Sequence, residues 1–285
     1  MPFYDKRLQP YYTFLDTLFS IARLVSQTKF KKTSPMTRHH DKCLILGNGP
    51  SLISTLENNL DLLGDYDLIA VNHFATFPEY VKYRPNKYVL CDPAFWFDES
   101  SKETLEKIAH MYSTMAEVTQ WPLELYFPYQ AKKCNKITDF LSCNPNISFF
   151  YYNKTKYEGW GQNRIYQKQW GMPRTQNVLI AALMLAVHSG YSTIYLLGAD
   201  NDWIHNLWVD ELNHLRLNDI HFYDSESAMK NARYLPVTMT DQLCSLYYAF
   251  NSYQYVKSFA AQNNSKIFNT NPHSFIDAFP KTNLA

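Results

Sequence analysis

The sequence predicts an α/β protein with a Rossmann-like, mainly parallel sheet flanked by helices. From residue 42 onward, short apolar segments of strand length alternate with segments of helical periodicity, a pattern typical of parallel sheets. Several of these apolar segments end in glycine, asparagine or aspartate, and parallel sheets bind their ligands at the carboxyl ends of their strands. A chain of 285 residues with 46% hydrophobic content has ample material for one such core.

Composition limits the classes of partner. Twenty-seven basic and 26 acidic residues leave a net charge of +1, so no global field would hold a nucleic acid. The five cysteines are scattered and include no Cys-x-x-Cys pair, which argues against a disulfide framework or a zinc site. The apolar run at residues 178–187 is too short for a membrane span. We therefore expect a cytoplasmic protein.

Residues 1–40 differ from the rest and are predicted to form an amphipathic helix followed by a basic linker, with the main domain at 41–285. Phe14, Leu18, Ile21 and Val25 recur at helical spacing, and lysines and arginines follow them. The helix either packs on the domain or in a dimer contact, or anchors the protein peripherally to the inner face of a membrane through residues 10–38.

The first strand of the domain runs into a glycine turn at residues 42–52. Gly47 and Gly49 permit a tight turn, and Ser51 is placed to cap a helix that continues to residue 60. The N–H groups of such a turn can cradle a phosphate or a ribose. The third glycine of the dinucleotide fingerprint and the Gly-Lys-Ser/Thr of the P-loop are both missing, so a purely structural turn fits equally well.

Two further strands end in polar residues. Strands at 67–72 and 87–93 would bring Asn72, His73 and Asp92 to the same rim as Asn48. Each of these residues alone also suits an ordinary turn. Three such strand ends in succession favour a ligand site.

The central part of the chain is predicted to hold a surface helix at 100–119, strands at 123–127 and 147–152, and an aromatic, glycine-containing loop or lid at 151–174. Residues 175–177 precede a buried helix at 178–188, with Asn177 at the capping position. The strand at 193–200 then ends in Gly198 and Asp200. A second polar strand end is therefore expected there.

Residues 201–240 are polar and aromatic with weak periodicity, and are predicted to form a second substrate loop or lid. A helix at 241–263, a strand at 266–269 and a short turn or helix at 273–279 complete the chain.

Taken together, residues 47–52, 71–74, 92–93 and 190–200 resemble glycosyltransferase family 42, the bacterial sialyltransferases, and the related domain of flagellin nonulosonate transferases. The resemblance covers residues 42–200 and implies a GT-A-variant-like fold. The chain departs from the family pattern at three places. Asn72-His73 replaces Asn-Gln, Asp92-Pro93 replaces Asn-Pro, and Thr175-Gln176-Asn177 replaces Thr-Ser-Gly.

The resemblance implies a metal-independent transferase, without a cofactor, that uses a CMP-activated sugar. The donor would carry sialic acid, or Kdo or another nonulosonate, and the acceptor would be a cell-surface glycan or a lipid-linked oligosaccharide. Members of this family often form homo-oligomers. By similarity the nucleotide would contact Gly47, Asn48, Gly49, Ser51, Asn72, His73, Asp92 and Asn177.

Transfer from such a donor needs a base for the acceptor hydroxyl and donors for the departing phosphate. A neutral histidine is the natural base near pH 7. The family places its histidine and two tyrosines after the Gly-x-Asp strand, which implies His221, or else His205, as base and Tyr223 and Tyr234 on the phosphate side. His221 is preferred because apolar residues flank it, although any of these histidines can be a solvated surface residue.

Asp200 and Asp202 follow a strand in an Asp-x-Asp pattern that holds divalent metal in many nucleotide-sugar transferases. Because a CMP donor carries one phosphate, we expect Asp200 to orient the acceptor or its neighbours, with Mg²⁺ as the alternative. Two other functions fit the same residues. One is an ATP-dependent, metal-dependent pyrophosphokinase-like enzyme, since an archaeal pterin pyrophosphokinase family shares the glycine turn. The other is a non-catalytic nucleotide-sugar-binding subunit.

Overall fold

The computed structural model describes residues 9–97, 101–218 and 232–284. The strands are β1 (Lys42–Leu46), β2 (Asp67–Val71), β3 (Lys87–Val89), β4 (Leu123–Pro128), β5 (Ile147–Tyr152), β6 (Thr193–Leu197), β7 (Leu207–Val209), β8 (Leu215–Leu217), β9 (Arg233–Leu235) and β10 (Lys266–Asn269). The helices are α1 (Gln9–Gln27), α2 (Leu52–Glu57), α3 (Pro78–Tyr83), α4 (Lys102–Val118), α5 (Asn135–Leu141), α6 (Gln162–Gln167), α7 (Val178–His188) and α8 (Met239–Gln262).

Within these residues, seven strands form one parallel sheet in the order β10-β6-β1-β2-β3-β4-β5. The chain builds outward from β1 to β5 and then returns to the other side of β1 with β6. This reversal creates a switch point between β1 and β6, where open α/β sheets bind ligands. The predicted Rossmann-like α/β fold is confirmed.

Each face of the sheet carries its own apolar core. Along β1, Cys43 and Ile45 point to one face while Leu44 and Leu46 point to the other, as strand alternation requires. Helices α6, α7 and α8 cover the first face, and helices α2 to α5 cover the second. Every residue from Val178 to Val187 of α7 is buried, which explains why this helix reads as a continuous apolar run.

The segment at 201–240 is not simply a loop. Its described part contains β7, β8 and β9, which form a three-stranded antiparallel sheet. Strands of three residues give almost no alternation for a sequence pattern to detect. The turn between β7 and β8 is stabilised by Asp210, whose carboxylate accepts hydrogen bonds from the N–H of Leu212 (3.0 Å) and of His214 (2.8 Å) and from Nε of Arg216 (2.8 Å). The other predicted lid, 151–174, likewise contains the end of β5 and helix α6.

The N-terminal helix is present, but most of its apolar stripe faces away from the domain. Thr17, Ser20 and Leu24 are the buried residues of α1, whereas Leu18 and Val25 are exposed. No helix of the described residues is both long and apolar enough to cross a membrane.

A buried ion pair closes the amino-terminal end of the sheet. Nζ of Lys87 lies 3.0 Å from Oδ1 of Asp67, and both side chains are almost fully buried. Burial alone would raise the pKa of Asp67, but hydrogen bonds from Asn86, Lys87, the His39 N–H and Tyr191 outweigh it and lower that pKa to about 2. The linker that follows α1 is thereby tied to β2 and lies at the end of the sheet opposite the strand-end turns.

Candidate functional site

A cavity of about 550 Å³ lies over the carboxyl ends of β1, β2, β3 and β6, at the switch point of the sheet. Helices α4, α7 and α8 and the small antiparallel sheet complete its walls. Most residues predicted to bind the nucleotide line it, namely Gly47, Asn48, Gly49, Asn72, His73, Asp92 and Asn177, together with Asp200. The polar residues predicted at the strand ends therefore lie together in one cavity.

The glycine turn after β1 packs closely against the turn after β6. A Cβ on Gly47 would lie 2.6 Å from the carbonyl oxygen of Gly198, and a Cβ on Gly198, which has φ +59°, would lie 2.3 Å from the carbonyl oxygen of Gly47. The N–H of Gly47 donates to Leu197 O (2.8 Å) and the N–H of Gly49 donates to Gly198 O (2.9 Å). The prediction that these N–H groups cradle a phosphate is therefore wrong, because the neighbouring β6 turn uses them.

Ser51 also differs from its predicted role. It precedes α2, but its side chain makes no capping hydrogen bond, and α2 ends at Glu57 instead of continuing to residue 60. The N–H of Ser51 points to Oδ2 of Asp200 at 3.4 Å, and Ser51 is not among the residues that line the cavity. Ser51 therefore contributes to the link between the β1 and β6 turns.

Two buried amide oxygens of the cavity wall have no hydrogen-bond partner among the described residues. They are Oδ1 of Asn48 and Oδ1 of Asn72. Asn72 adopts a left-handed conformation with φ 50°, which asparagine tolerates better than most residues, and its carbonyl oxygen accepts from the hydroxyl of Tyr88. The N–H of Ala75 in turn donates to that hydroxyl at 2.9 Å. Buried polar atoms are normally satisfied, so these two oxygens can accept hydrogen bonds from N–H or O–H groups of a ligand.

His73 and Asp92 also belong to the cavity wall. The ring of His73 lies 5.1 Å from the ring of Phe95, in a tilted arrangement. Oδ1 of Asp92 accepts from the N–H of Ala94 at 2.9 Å, and the rest of its side chain is exposed at the cavity. The carboxylate can therefore accept hydrogen bonds from a bound ligand.

Asp200 joins three parts of the cavity wall. Its Oδ2 accepts from the N–H of Ser51, its Oδ1 accepts from Nδ2 of Asn271, and its carbonyl oxygen accepts from the N–H of Phe275 at 3.0 Å. Burial raises the pKa of Asp200, and the hydrogen bonds from Ser51 oppose this effect. These contacts suit a residue that orients its neighbours.

Sequence reasoning missed two cations of the cavity wall, Lys154 and Arg233. Lys154 follows β5, and its Nζ donates to the carbonyl oxygen of Cys91 at 2.8 Å while lying 5.4 Å from the centre of the Trp96 ring. The strand-end rule that predicts Asn72 also applies to Lys154, but residues 151–174 are predicted as a loop or lid, which hides this strand end. These residues add positive charge to a cavity wall that also carries acidic groups.

Asn177 caps α7 as predicted, because its side chain accepts from the N–H of Leu179 at 2.9 Å. The adjacent Gln176 donates from Nε2 to Oγ of Ser245 on α8 at 2.7 Å, and both residues line the cavity. Helix α8 is thus a wall of the site that no sequence motif indicated.

The four proposed catalytic residues have different positions. His221 and Tyr223 lie outside the described residues. His205 is exposed, with its ring 4.6 Å from that of Phe275, and Tyr234 lies on β9 beside His214; neither lines the cavity. Leu217 and Arg233, which are paired between β8 and β9, do line it. In the described ranges, no three His, Cys, Asp or Glu side chains are grouped to hold a metal ion.

No protein-family model and no curated protein matches the sequence. Among solved structures, the chain is similar to the Maf glycosyltransferase from Magnetospirillum magneticum AMB-1, with 11% identity over 94% of this chain and a TM-score of 0.49. This chain spans 38% of the length of that protein.

Proposed function

We propose that this chain is a glycosyltransferase that moves sialic acid, or a related ulosonic acid, from a CMP-activated donor to a glycan or lipid-linked oligosaccharide acceptor. The observation that carries the proposal is the pair of buried, unpartnered amide oxygens of Asn48 and Asn72 at the switch point of the sheet. A nucleotide with an amino group on its base and hydroxyls on its ribose supplies the donors that these oxygens lack.

Cytosine satisfies this requirement through its exocyclic amine, and the ribose through its two hydroxyls. Asp92, which exposes its carboxylate at the cavity, would accept from the ribose hydroxyls rather than approach the phosphate, where like charges repel. Lys154 and Arg233 would pair with the phosphate. Together these contacts account for the base, the sugar and the phosphate of CMP.

In the proposed reaction, the bond between the anomeric carbon of the ulosonic acid and the phosphate oxygen breaks, and CMP leaves with the electron pair. The acceptor oxygen forms the new bond to that carbon, and a base takes its proton. His221 is the proposed base, with Tyr223 on the phosphate side. Leu217 and Arg233, on the strands before and after residues 219–231, line the cavity, which supports this choice over His205 and Tyr234.

A specific observation favours a second candidate, an enzyme that uses ATP with Mg²⁺. Adenine also carries an exocyclic amine, and Asp92, Asp200 and Asp202 line the cavity, although their carboxylates are not grouped as a preformed metal site in the described residues. Carboxylate oxygens are the ligands that Mg²⁺ prefers. A triphosphate without metal would be repelled by these groups, so this candidate requires the cation.

The two candidates are separated by a thermal-shift comparison of CMP, UMP, AMP and ATP, each with Mg²⁺ or with EDTA. A ligand that binds the folded state alone raises the melting temperature. We expect stabilisation by CMP in EDTA, and less by UMP, which lacks the exocyclic amine. Stabilisation by ATP alone, dependent on Mg²⁺, would replace the first candidate by the second. CMP binding without turnover of any CMP-sugar would indicate a non-catalytic binding subunit.

A further inference from the structure

Helix α1 is held on the domain by hydroxyl groups. Oγ of Ser20 donates to Glu158 O at 2.9 Å and accepts from the Glu158 N–H at 3.0 Å. Oγ1 of Thr17 accepts from the Trp160 N–H at 2.9 Å, and a Cβ on Gly159 would lie 2.3 Å from this same Oγ1. The helix is therefore docked through these hydroxyl groups and through Leu24, which is buried in the core, and not through Leu18 or Val25.

Leu18 and Val25 belong to a stripe of large apolar side chains on the outward face of α1. Their exposed fractions are far above those of core residues: Tyr11 58%, Phe14 43%, Leu18 48%, Ile21 46% and Val25 73%. Because folding does not bury this stripe, the folded protein presents a contiguous apolar surface of the kind that marks an interaction site. We call these five residues the α1 stripe.

Neighbouring aromatic residues extend the α1 stripe. The ring of Trp160, which is 56% exposed, lies 5.9 Å from the ring of Phe14. Beyond the end of the helix, the ring of Phe30 is 56% exposed and packs edge-on against Trp170 at 5.1 Å. Exposed tryptophan, tyrosine and phenylalanine beside aliphatic side chains are typical of helices that lie in the interface of a bilayer.

The charged residues that follow Asp16 in α1 and in the linker after it are all basic. Residues 17–40 contain no acidic residue and five basic ones, Arg23, Lys29, Lys31, Lys32 and Arg38. By helical periodicity, Asp16 lies on the side of α1 opposite Leu18 and Val25. An apolar helix face followed by exposed lysines complements a bilayer, because the acyl region of the bilayer is apolar and its headgroups are anionic.

We propose that the α1 stripe binds the surface of a membrane that contains anionic lipid. A second copy of the chain complements it less well. In a two-fold contact the same surface meets itself, so basic residues would approach basic residues with no acidic group from 17–40 to neutralise them. Anionic headgroups supply that neutralisation, and the acyl region takes the apolar side chains.

The segment just after α1 is hydrogen-bonded to the residues that follow β5. Oγ1 of Thr28 donates to Oγ1 of Thr155 at 2.9 Å, and the backbone of Lys29 makes two hydrogen bonds with the side chain of Asn153, at 2.8 and 2.7 Å. Asn153 and Thr155 flank Lys154, which lines the cavity. Docking would therefore attach the lipid-binding segment directly to the strand end that carries Lys154. The advantage that docking would give in reaching a lipid-linked acceptor rests on the proposed function, whereas the proposed lipid binding itself does not.

Vesicle sedimentation of the full chain tests this proposal. We expect binding to vesicles of phosphatidylcholine mixed with phosphatidylglycerol, weaker binding to phosphatidylcholine alone, and a decrease with added salt. The double variant Leu18→Gln/Val25→Gln should bind at least about tenfold more weakly, because both side chains are exposed and contact the bilayer. Lys31→Glu/Lys32→Glu should weaken binding to the anionic vesicles alone.

Leu60→Gln is the matched control, because Leu60 is equally exposed (49%) but lies outside α1. This variant should bind vesicles like the unmodified protein. Equal binding by Leu18→Gln/Val25→Gln, or no binding of the unmodified protein to anionic vesicles, would overturn the proposal. A dimer in sedimentation equilibrium that dissociates in the double variant would assign the stripe to a second copy and would also overturn it. Nucleotide-induced thermal shifts of the same variants report on the cavity separately.

Discussion

Gly49 lies directly against Asp200, because a Cβ added to Gly49 would stand 1.8 Å from Oδ2 of that carboxylate. The two residues belong to the turns after β1 and β6, and the N–H of Gly49 donates to Gly198 O at 2.9 Å. The floor of the cavity is therefore formed by two turns that fit together only because the glycines lack side chains.

Gly49→Ala should lower the free energy of unfolding by about 1–3 kcal/mol and displace Asp200, because the added methyl group overlaps its carboxylate. Chemical denaturation measures the loss. Gly64→Ala is the control, since a Cβ at Gly64 meets no atom within 4 Å. Equal stability of the two variants would contradict the described contact between the turns.

Asn72→Gly should weaken CMP binding by about tenfold while changing stability little, because it removes the unpartnered Oδ1 and leaves a residue that adopts φ 50° without strain. Isothermal titration with CMP measures the effect. Asn213→Gly is the control, since Asn213 has φ 57° but lies in the β7–β8 turn, outside the cavity lining. Unchanged CMP affinity in Asn72→Gly would remove this oxygen from the proposed nucleotide contacts.

Lys154→Met should reduce affinity for CMP by about tenfold and leave affinity for cytidine unchanged, because the variant keeps an apolar stem beside Trp96 but loses the charge that would face the phosphate. The difference should shrink at high salt. Lys168→Met is the comparison, since Lys168 also lies over a tryptophan ring, at 4.3 Å from that of Trp170, but not in the cavity. A parallel loss of cytidine binding would mean that Lys154 acts through the shape of the cavity.

His188 makes stability depend on pH. Burial at the end of α7, with a smaller effect of Lys32, lowers the pKa of His188 from 6.5 to about 4. Between these values the unfolded chain binds a proton that the folded chain does not, so the free energy of unfolding rises with pH from about 4 to 6.5, by about 3 kcal/mol. Urea denaturation across this range should show a flatter profile for His188→Gln than for His110→Gln, a change at an exposed histidine of α4. Identical profiles would contradict the lowered pKa.

The sheet was predictable because its strands are buried on both faces and read as continuous apolar runs. The segments that form β1, β2 and β6 are almost fully buried, and the rule that polar residues gather at strand ends correctly placed Asn48, Asn72, Asp92 and Asp200 in one cavity. Helix α7 was predicted with its observed bounds, because Asn177 caps it and Gly190 follows its end.

The hydrogen-bond acceptors of the glycine-turn N–H groups could not be predicted, because they depend on which strands lie side by side in the sheet. The N–H groups of Gly47 and Gly49 are used by the β6 turn, and nothing in the local sequence shows that β6 lies beside β1. Periodicity likewise located the apolar face of α1 but could not show that hydroxyl groups would dock the helix and leave Leu18 and Val25 outside.

The central claim is tested most directly by the release of CMP from CMP-sialic acid and CMP-Kdo, followed by phosphorus NMR in the presence of EDTA. We predict that the unmodified protein releases CMP from at least one of these donors, faster with an acceptor present, and that Asn72→Gly is slower than Asn213→Gly. Absence of CMP release from every CMP-ulosonic acid, together with Mg²⁺-dependent turnover of ATP, would contradict the proposed function.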